Sequence, residues 1–315
     1  MKYEEFIKKP QNWGLPEAEI RRKYNMLKEQ ELFEMLGVPS HTGTSMSGAF
    51  GFPVPMSPNA QLLAFKSGIY GVQECTALTT LEVGIKAANL WDKLTCIYPF
   101  VGASALGHQW NLKDVSDSNN ARRITWYGPV IHDPWGIRAG SYGGYGDMNL
   151  VIKNDIGVNN FHMALYFKGA QFPDGSYYGT EVPMGNRSDV SPMRCNFFIR
   201  DWDGGTYFSS NTAGESSAGN ILTSPDGFFV MNRRTSTLVN IWQSGTKKYE
   251  SNAIPTGGLN QESSFILTAS RSGGPYYTTG GGIRLATVGQ GLTDQENTDL
   301  YNISQTVQAI LGRQL

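Results

Sequence analysis

The sequence predicts a mainly β protein, a sandwich or barrel bracketed by helices. Three observations predict it. Short strand-like runs recur from Cys96 onward with Gly-rich turns between them. Glycine is abundant, 37 of 315 residues, while charged residues make up only 17%, against roughly 25% in an average soluble domain. Helical periodicity is confined to an opening segment, one segment before the strands and one after them. Hydrophobic residues at 40% and aromatics at 12% supply a core, which excludes a disordered or collagen-like chain.

Residues 1–36 carry seven Lys/Arg and seven Asp/Glu but a single glycine, Gly14. Pro16 suits a first helical turn, Glu17 and Glu19 complement the helix dipole and Gly37 is a natural stop, so a helix is predicted over 16–36. Its apolar set, Ile20, Tyr24 and Leu27 and then Leu32, Phe33 and Leu36, changes phase midway, which disfavours a long coiled coil. Two readings follow: a helix packed on its own domain, or a docking arm that buries Ile20, Tyr24, Leu27 and Phe33 on a larger assembly. Residues 37–60 hold four prolines, four glycines and no Lys, Arg, Asp or Glu, the composition of a connector. Phe50, Phe52, Val54 and Met56 alternate through it, as a strand against a partner surface or as cover for the domain that follows. The expected organisation is a helical anchor (1–36), a connector (37–60) and a β domain (61–315).

Within the β domain, Leu78, Leu81, Ile85 and Ala88 predict one helix over 76–94. Strands follow in Cys96–Gly102, Arg123–Gly128, Phe161–Gly169, Met193–Gly205, 226–234, 237–251, 265–274 and 280–289. In the third run Phe161, Met163, Leu165 and Phe167 point one way, and His162, Tyr166 and Lys168 the other, so one face is expected in the core and one in water. The closing helix announces itself by a capping box, Thr293 with Glu296, ahead of Leu300, Ile303, Val307 and Ile310 on one face. It is expected to pack back on the sheets.

Charge and cysteine content remove several function classes. With 26 Lys+Arg against 27 Asp+Glu and no basic run, nucleic acid is not an expected partner. The start of the chain has no apolar signal core, and the uncharged stretch Ile97 to Gly107 is too short to span a bilayer, so no membrane insertion and synthesis in a cytoplasm are expected. Cys75, Cys96 and Cys195 lie outside any CxxC pattern and read as buried thiols.

The search for chemistry returns little that is catalytic. A glycosidase needs two carboxylates placed across the sugar, whereas Glu181, Glu215, Glu250 and Glu262 stand alone. Asp201 and Asp203 alternate at a strand end beside two glycines, as a turn pair or, alternatively, a calcium loop to which Asp147 could contribute. His41, His108, His132 and His162 show no ligand spacing. Ser45 and Ser104 lack a nucleophile elbow, and the clusters 143–146 and 280–282 lack phosphate-loop spacing and read as turns. Aromatics in polar loops remain. Trp135, Tyr142, Tyr145 and Asp147 in one loop, and Tyr276 with Tyr277 in another, can stack on sugar rings and bind hydroxyls, or close the sandwich ends and pack an interface. The first loop is the expected contact surface.

Two segments carry a resemblance. The tail from Leu238 resembles the C-terminal half of a laminin G-like (concanavalin A-like) jelly roll: a strand ending in Ser244-Gly245, a Lys-rich return strand, FILTASRSGG, GGGIRLATVGQG and the final helix. Its Leu311-Gly312-Arg313 ending is similar to tail and appendage proteins of bacteriophages. IYPFVG, the segment Trp110-Asn111-Leu112-Lys113-Asp114 and the Arg122-Arg123 pair resemble the same proteins. The resemblance implies a non-enzymatic virion structural protein, of tail, fibre, collar or head appendage. Its partners would be other virion proteins, itself as a homotrimer, and a host surface glycan. From the residues no cofactor is expected, with calcium at Asp201 and Asp203 as the alternative. A glycan-binding host-recognition lectin and a polysaccharide depolymerase are the competing readings.

Overall fold

The computed structural model describes residues 55–141, 143–169, 182–187, 194–199, 205–212, 216–254, 262–271 and 274–315. The expected docking residues Ile20, Tyr24, Leu27, Phe33, Phe50 and Phe52, together with Tyr142, Asp201 and Asp203, lie outside them. The chain divides into two units, Met1–Met56 and Ser57–Leu315, and the architecture below is that of the second.

Two helices open the unit, α1 (Pro58–Ser67) and α2 (Val72–Ala87). The first begins inside the segment read as connector, with Pro58 at its start, where a missing N–H is no loss. Ser57 supplies no side-chain cap to its own helix. Glu82, fully buried on α2, takes that role: its Oε2 accepts from Ala60 N at 2.8 Å and Ser57 Oγ at 2.6 Å, while Lys86 Nζ reaches its Oε1 at 2.5 Å. A carboxylate at a helix N-terminus satisfies orphan donors and complements the dipole. Helix α2 starts four residues ahead of its expected start and ends at Ala87, because Asn89 turns left-handed at φ 56° and breaks the hydrogen-bond run. Short helices α3 (Ala105–His108) and α4 (Ile152–Asp155) sit in connections, and α5 (Asp294–Ile310) closes the fold.

The unit is mainly β, as expected, with two sheets. In chain order the strands of the first sheet are β1 (Leu94–Tyr98), β3 (Val130–Asp133), β4 (Gly136–Ala139), β6 (Phe161–Lys168), β11 (Gly227–Arg233), β12 (Val239–Gln243), β13 (Thr246–Ser251) and β17 (Gly282–Gly289). They run in the order β13-β12-β11-β6-β17-β4-β3, with β1 also paired to β17. The second sheet holds β2 (Thr125–Tyr127), β5 (Tyr145–Asp147), β7 (Met184–Arg187), β8 (Arg194–Phe198), β9 (Thr206–Thr212), β10 (Ser216–Gly219), β14 (Phe265–Ile266), β15 (Thr268–Arg271) and β16 (Gly274–Thr278). Pairing is antiparallel except between β15 and β7. The β12–β13 hairpin turns at Ser244 and Gly245, φ 47° and 76°, the two left-handed residues that a tight hairpin turn requires.

The sheets pack face to face around one core. Met163, Leu165 and Phe167 of β6 and Phe229 and Met231 of β11 meet Cys195 and Phe197 of β8 and Phe208 of β9. Cys195 Sγ lies 3.5 Å from Met163 Sδ across the sandwich. Each fully buried side chain of this size is worth about 1.5–3 kcal/mol. All three cysteines are buried free thiols, and burial pushes Cys96 up to about 12, so it stays protonated.

The expected wet face of β6 is not wet. His162 and Tyr166 are fully buried along with the core face, and only Lys168 is exposed. Helix α5, starting from the expected capping box, covers that side. Tyr166 OH donates to Gln305 Oε1 at 2.8 Å, and Tyr301 packs on Phe228 with ring centroids 6.2 Å apart. Helix α2 packs on α5 in turn, close enough that a Cβ at Gly84 would stand 3.1 Å from Ile303. The polar atoms of His162 are satisfied in this setting: Nδ1 donates to Gln290 O at 2.6 Å and Nε2 accepts from Thr287 Oγ1 at 3.1 Å. Alternation along one strand showed two faces correctly, but the layer over the second comes from residues far along the chain.

Candidate functional site

Trp135, expected in a loop, stands at the tip of the β3–β4 hairpin, where Asp133 Oδ1 accepts from Trp135 N at 2.8 Å and holds the turn. Gly136 completes it with φ 120°, and a Cβ there would lie 2.2 Å from the Ile283 carbonyl oxygen. Only glycine lets the hairpin lie this close to β17. The indole is 56% exposed, an unusual setting for so large an apolar ring.

Beside the indole opens a cleft of about 500 Å³, lined by Asp133, Trp135, Arg138, Lys168, Arg284 and the glycine cluster 280–282. The glycines are its floor. A Cβ at Gly281 would collide with the Phe167 ring at 2.2 Å and the Lys168 carbonyl at 2.5 Å, so the backbone there lies bare against the strand beneath it. The cleft lining carries three cations and one anion. Arg138 reaches Asp133 at 3.6 Å, and Lys168 reaches Asp226 at 3.2 Å. Arg284 has its guanidinium carbon 5.6 Å from the Trp135 ring centroid, within cation–π range.

Behind the cleft lies a second guanidinium, that of Arg313, 2% exposed. It donates to the carbonyls of Phe100 at 2.9 Å, Pro134 at 3.2 Å and Arg284 at 3.2 Å, and to Gln308 Oε1 at 3.0 Å. Its own carbonyl accepts from Arg284 Nη1. Gly312, φ 66°, turns the chain after α5 so that Arg313 can enter. The side chain thereby ties the C-terminal segment to the residue preceding Trp135. Burial, and then the neighbouring Arg284, bring Arg313 down to about 9, and burial lowers Arg284 as well. Two buried arginines that each donate to the other's backbone carbonyl, with no ion pair to either among the described residues, leave positive charge under the cleft.

Of the other expected site residues, the described ones, Tyr145 and Asp147, do not join Trp135. Tyr145 and Asp147 belong to β5, in the opposite sheet. Tyr145 is the middle ring of a stack, 5.1 Å from Tyr127 and 4.6 Å from Phe265 between centroids. Asp147 accepts from Asn149 N at 2.8 Å and from Ser263 Oγ, and so shapes a turn. The two histidines that looked isolated, His108 and His132, meet with Nδ1 atoms 3.2 Å apart. His108 Nε2 donates to the Gly102 carbonyl at 3.1 Å, so its Nδ1 accepts and His132 donates. Burial drives His108 down to about 3 and lowers His132 too, which makes this a neutral structural pair. Among the described residues no group of three or more His, Cys, Asp or Glu could hold a metal ion, and no helix there is long and apolar enough to cross a membrane. Sequence reading missed Arg138, Lys168 and Arg284. The only available signal for the cleft was Trp135 itself, because its other walls come from distant strands.

No family model matches the chain, and no curated protein matches it in sequence. Solved structures with a similar arrangement of strands include a mutant Trypanosoma rangeli sialidase displaying trans-sialidase activity, at 12% identity and a TM-score of 0.49, over 75% of this chain and 40% of the sialidase. Domain 4 of AbnA, an extracellular arabinanase from Geobacillus stearothermophilus solved in complex with arabinotriose, is 17% identical with a TM-score of 0.41, over 66% of this chain and 98% of that domain. The CBM40 domain of the Ruminococcus gnavus IT-sialidase, bound to α2,3 sialyllactose, is 14% identical with a TM-score of 0.36, over 47% of this chain and 83% of that domain.

Proposed function

We propose that the Ser57–Leu315 unit is a carbohydrate-binding β-sandwich that acts by adhesion without turnover, and that the Trp135 cleft is its site. One observation carries the reading: a half-exposed indole fixed on a hairpin tip beside a cleft of about 500 Å³ with a bare glycine floor. An indole face offers the flat apolar surface on which the C–H face of a pyranose stacks. The charged rim supplies directional groups for hydroxyls, and the volume is that of a small-ligand site. The hairpin is held by hydrogen bonds and close packing at Asp133, Pro134 and Gly136, so little ordering cost accompanies binding.

The setting in which such a module would work is a virion appendage, with residues 1–36 as docking arm and the sandwich displayed outward. The resemblance of the Ile97 to Gly128 segment and of the tail from Leu238 supports that setting. Several copies on one particle would let weak single-site binding hold a host surface. Screening the purified chain on a glycan array, followed by Trp135→Ala, tests the site. Loss of stacking is expected to weaken binding by about 2 kcal/mol, roughly 30-fold, with no change in fold by circular dichroism. Binding left intact by the substitution, or reproducible release of reducing ends from a polysaccharide, would overturn the reading. Immunogold labelling of particles tests the setting.

A further inference from the structure

Arg284 is the least explained residue of the cleft. It is 7% exposed, and a cation this far from water is costly without an anionic partner. Arg138 and Lys168 each reach a carboxylate; Arg284 feels Asp226 and Asp133 only at longer range and forms an ion pair with neither. Its Nη1 donates to the Arg313 carbonyl. Nε and Nη2 meet no protein acceptor there, and they are not among the atoms sealed from solvent. Half of a planar donor fork is thus held in a cleft, with an indole over it and the positive Arg313 behind it. A guanidinium presents its free edge as two parallel N–H donors, matched to a carboxylate.

Resting on the carbohydrate reading above, we propose that the cleft selects an acidic saccharide. The sugar ring stacks on Trp135 while its carboxylate docks on the free edge of Arg284, with Lys168 and Arg138 as the flanking charges. Lysine could not replace Arg284 here, since a point charge lacks the paired donors. The flanking cations are half exposed, with side-chain exposures of 53% for Arg138 and 50% for Lys168, so they add attraction that salt screens. The shared chemistry is a carboxylate on a pyranose, which sialic-acid-terminated glycans and uronate polymers both provide.

Isothermal titration of the full chain with a sialyllactose, a tetragalacturonate, lactose and maltotetraose separates the outcomes. At least one acidic probe is expected to bind roughly tenfold or more tightly than its neutral counterpart, and to weaken at high salt. The better acidic probe identifies the source of the carboxylate. Arg284→Lys should weaken acidic binding several-fold more than it weakens the neutral probes, abolishing most of that preference. Should that variant fail to fold, Lys168→Gln, at the exposed rim, should cut acidic binding about threefold and reduce its salt dependence. Equal binding of acidic and neutral probes overturns acidic selection but leaves the carbohydrate site standing. Binding of none of the four overturns both.

Discussion

Lowering the pH from about 7 to about 5 should cost this fold several kcal/mol, and two buried histidines supply most of it. His108 and His162 are 1% and 0% exposed, and burial lowers them from 6.5 to about 3 and about 4. Their folded values lie below their unfolded ones, so in the window between the two the unfolded chain binds more protons and stability rises with pH. At about pH 7 the folded chain carries neither proton and the unfolded chain only a minority, about a quarter at each site. At about pH 5 the unfolded chain is protonated at both sites and the folded one at neither, a penalty of about 2 kcal/mol per histidine and about 4 kcal/mol for the pair. His132, lowered in the same direction and half-buried, adds to the trend. Glu296, lowered by its hydrogen bond to Lys93 among other favourable contacts, titrates below this window. Urea denaturation at the two pH values measures the difference, and His162→Gln should reduce it by about 2 kcal/mol. The substitution is expected to carry its own cost at both pH values, because Gln290 O and Thr287 Oγ1 lose their shaped partner; the pH-dependent part is the test. A wild-type loss under about 1 kcal/mol, or an unchanged difference in the variant, would refute the assignment of these imidazoles as neutral groups.

Two further predictions concern the supports of the fold. Arg313→Met should destabilise the unit by about 3 kcal/mol or more, since it strips partners from three carbonyls and Gln308. It should also red-shift tryptophan fluorescence as the Trp135 hairpin loosens; guanidinium denaturation within about 1 kcal/mol of wild type would count against its anchoring role. Glu82→Gln keeps the shape of the carboxylate but removes the charge that caps α1 and pairs Lys86. It should cost about 2 kcal/mol, read as a fall of several degrees in Tm.

The parts of the fold legible in the sequence are those governed by neighbours in the chain. Thr293 and Glu296 marked the start of α5 because a capping box closes within four residues. Ser244-Gly245 was placed at a hairpin turn through the resemblance, and the two residues do take two left-handed steps in succession. The β3–β4 hairpin was misread as loop because Pro134 and Gly136 at its tip read as turn signals in so short a segment, and Gly136 is there to let the hairpin approach β17, which no local pattern announces. The Trp135, Tyr145 and Asp147 group was divided for a similar reason. Ten residues apart in sequence, Trp135 and Tyr145 fall in strands or turns of opposite sheets, each drawn to a different hydrogen-bonding neighbour.

By itself the sequence determined the class of this protein: a glycine-rich, charge-poor chain of alternating strands, closed by a capped helix and carrying Trp135 among small polar neighbours. Propensity, period and turn chemistry act over a few residues, and they suffice for that. Tertiary structure alone decided that the second face of β6 would be dry, that His108 would meet His132, and that Arg284 and Arg313 would lie buried side by side behind Trp135. Those outcomes depend on which strands pair and which helix covers them, long-range choices set by the summed burial of the core and not by any one residue.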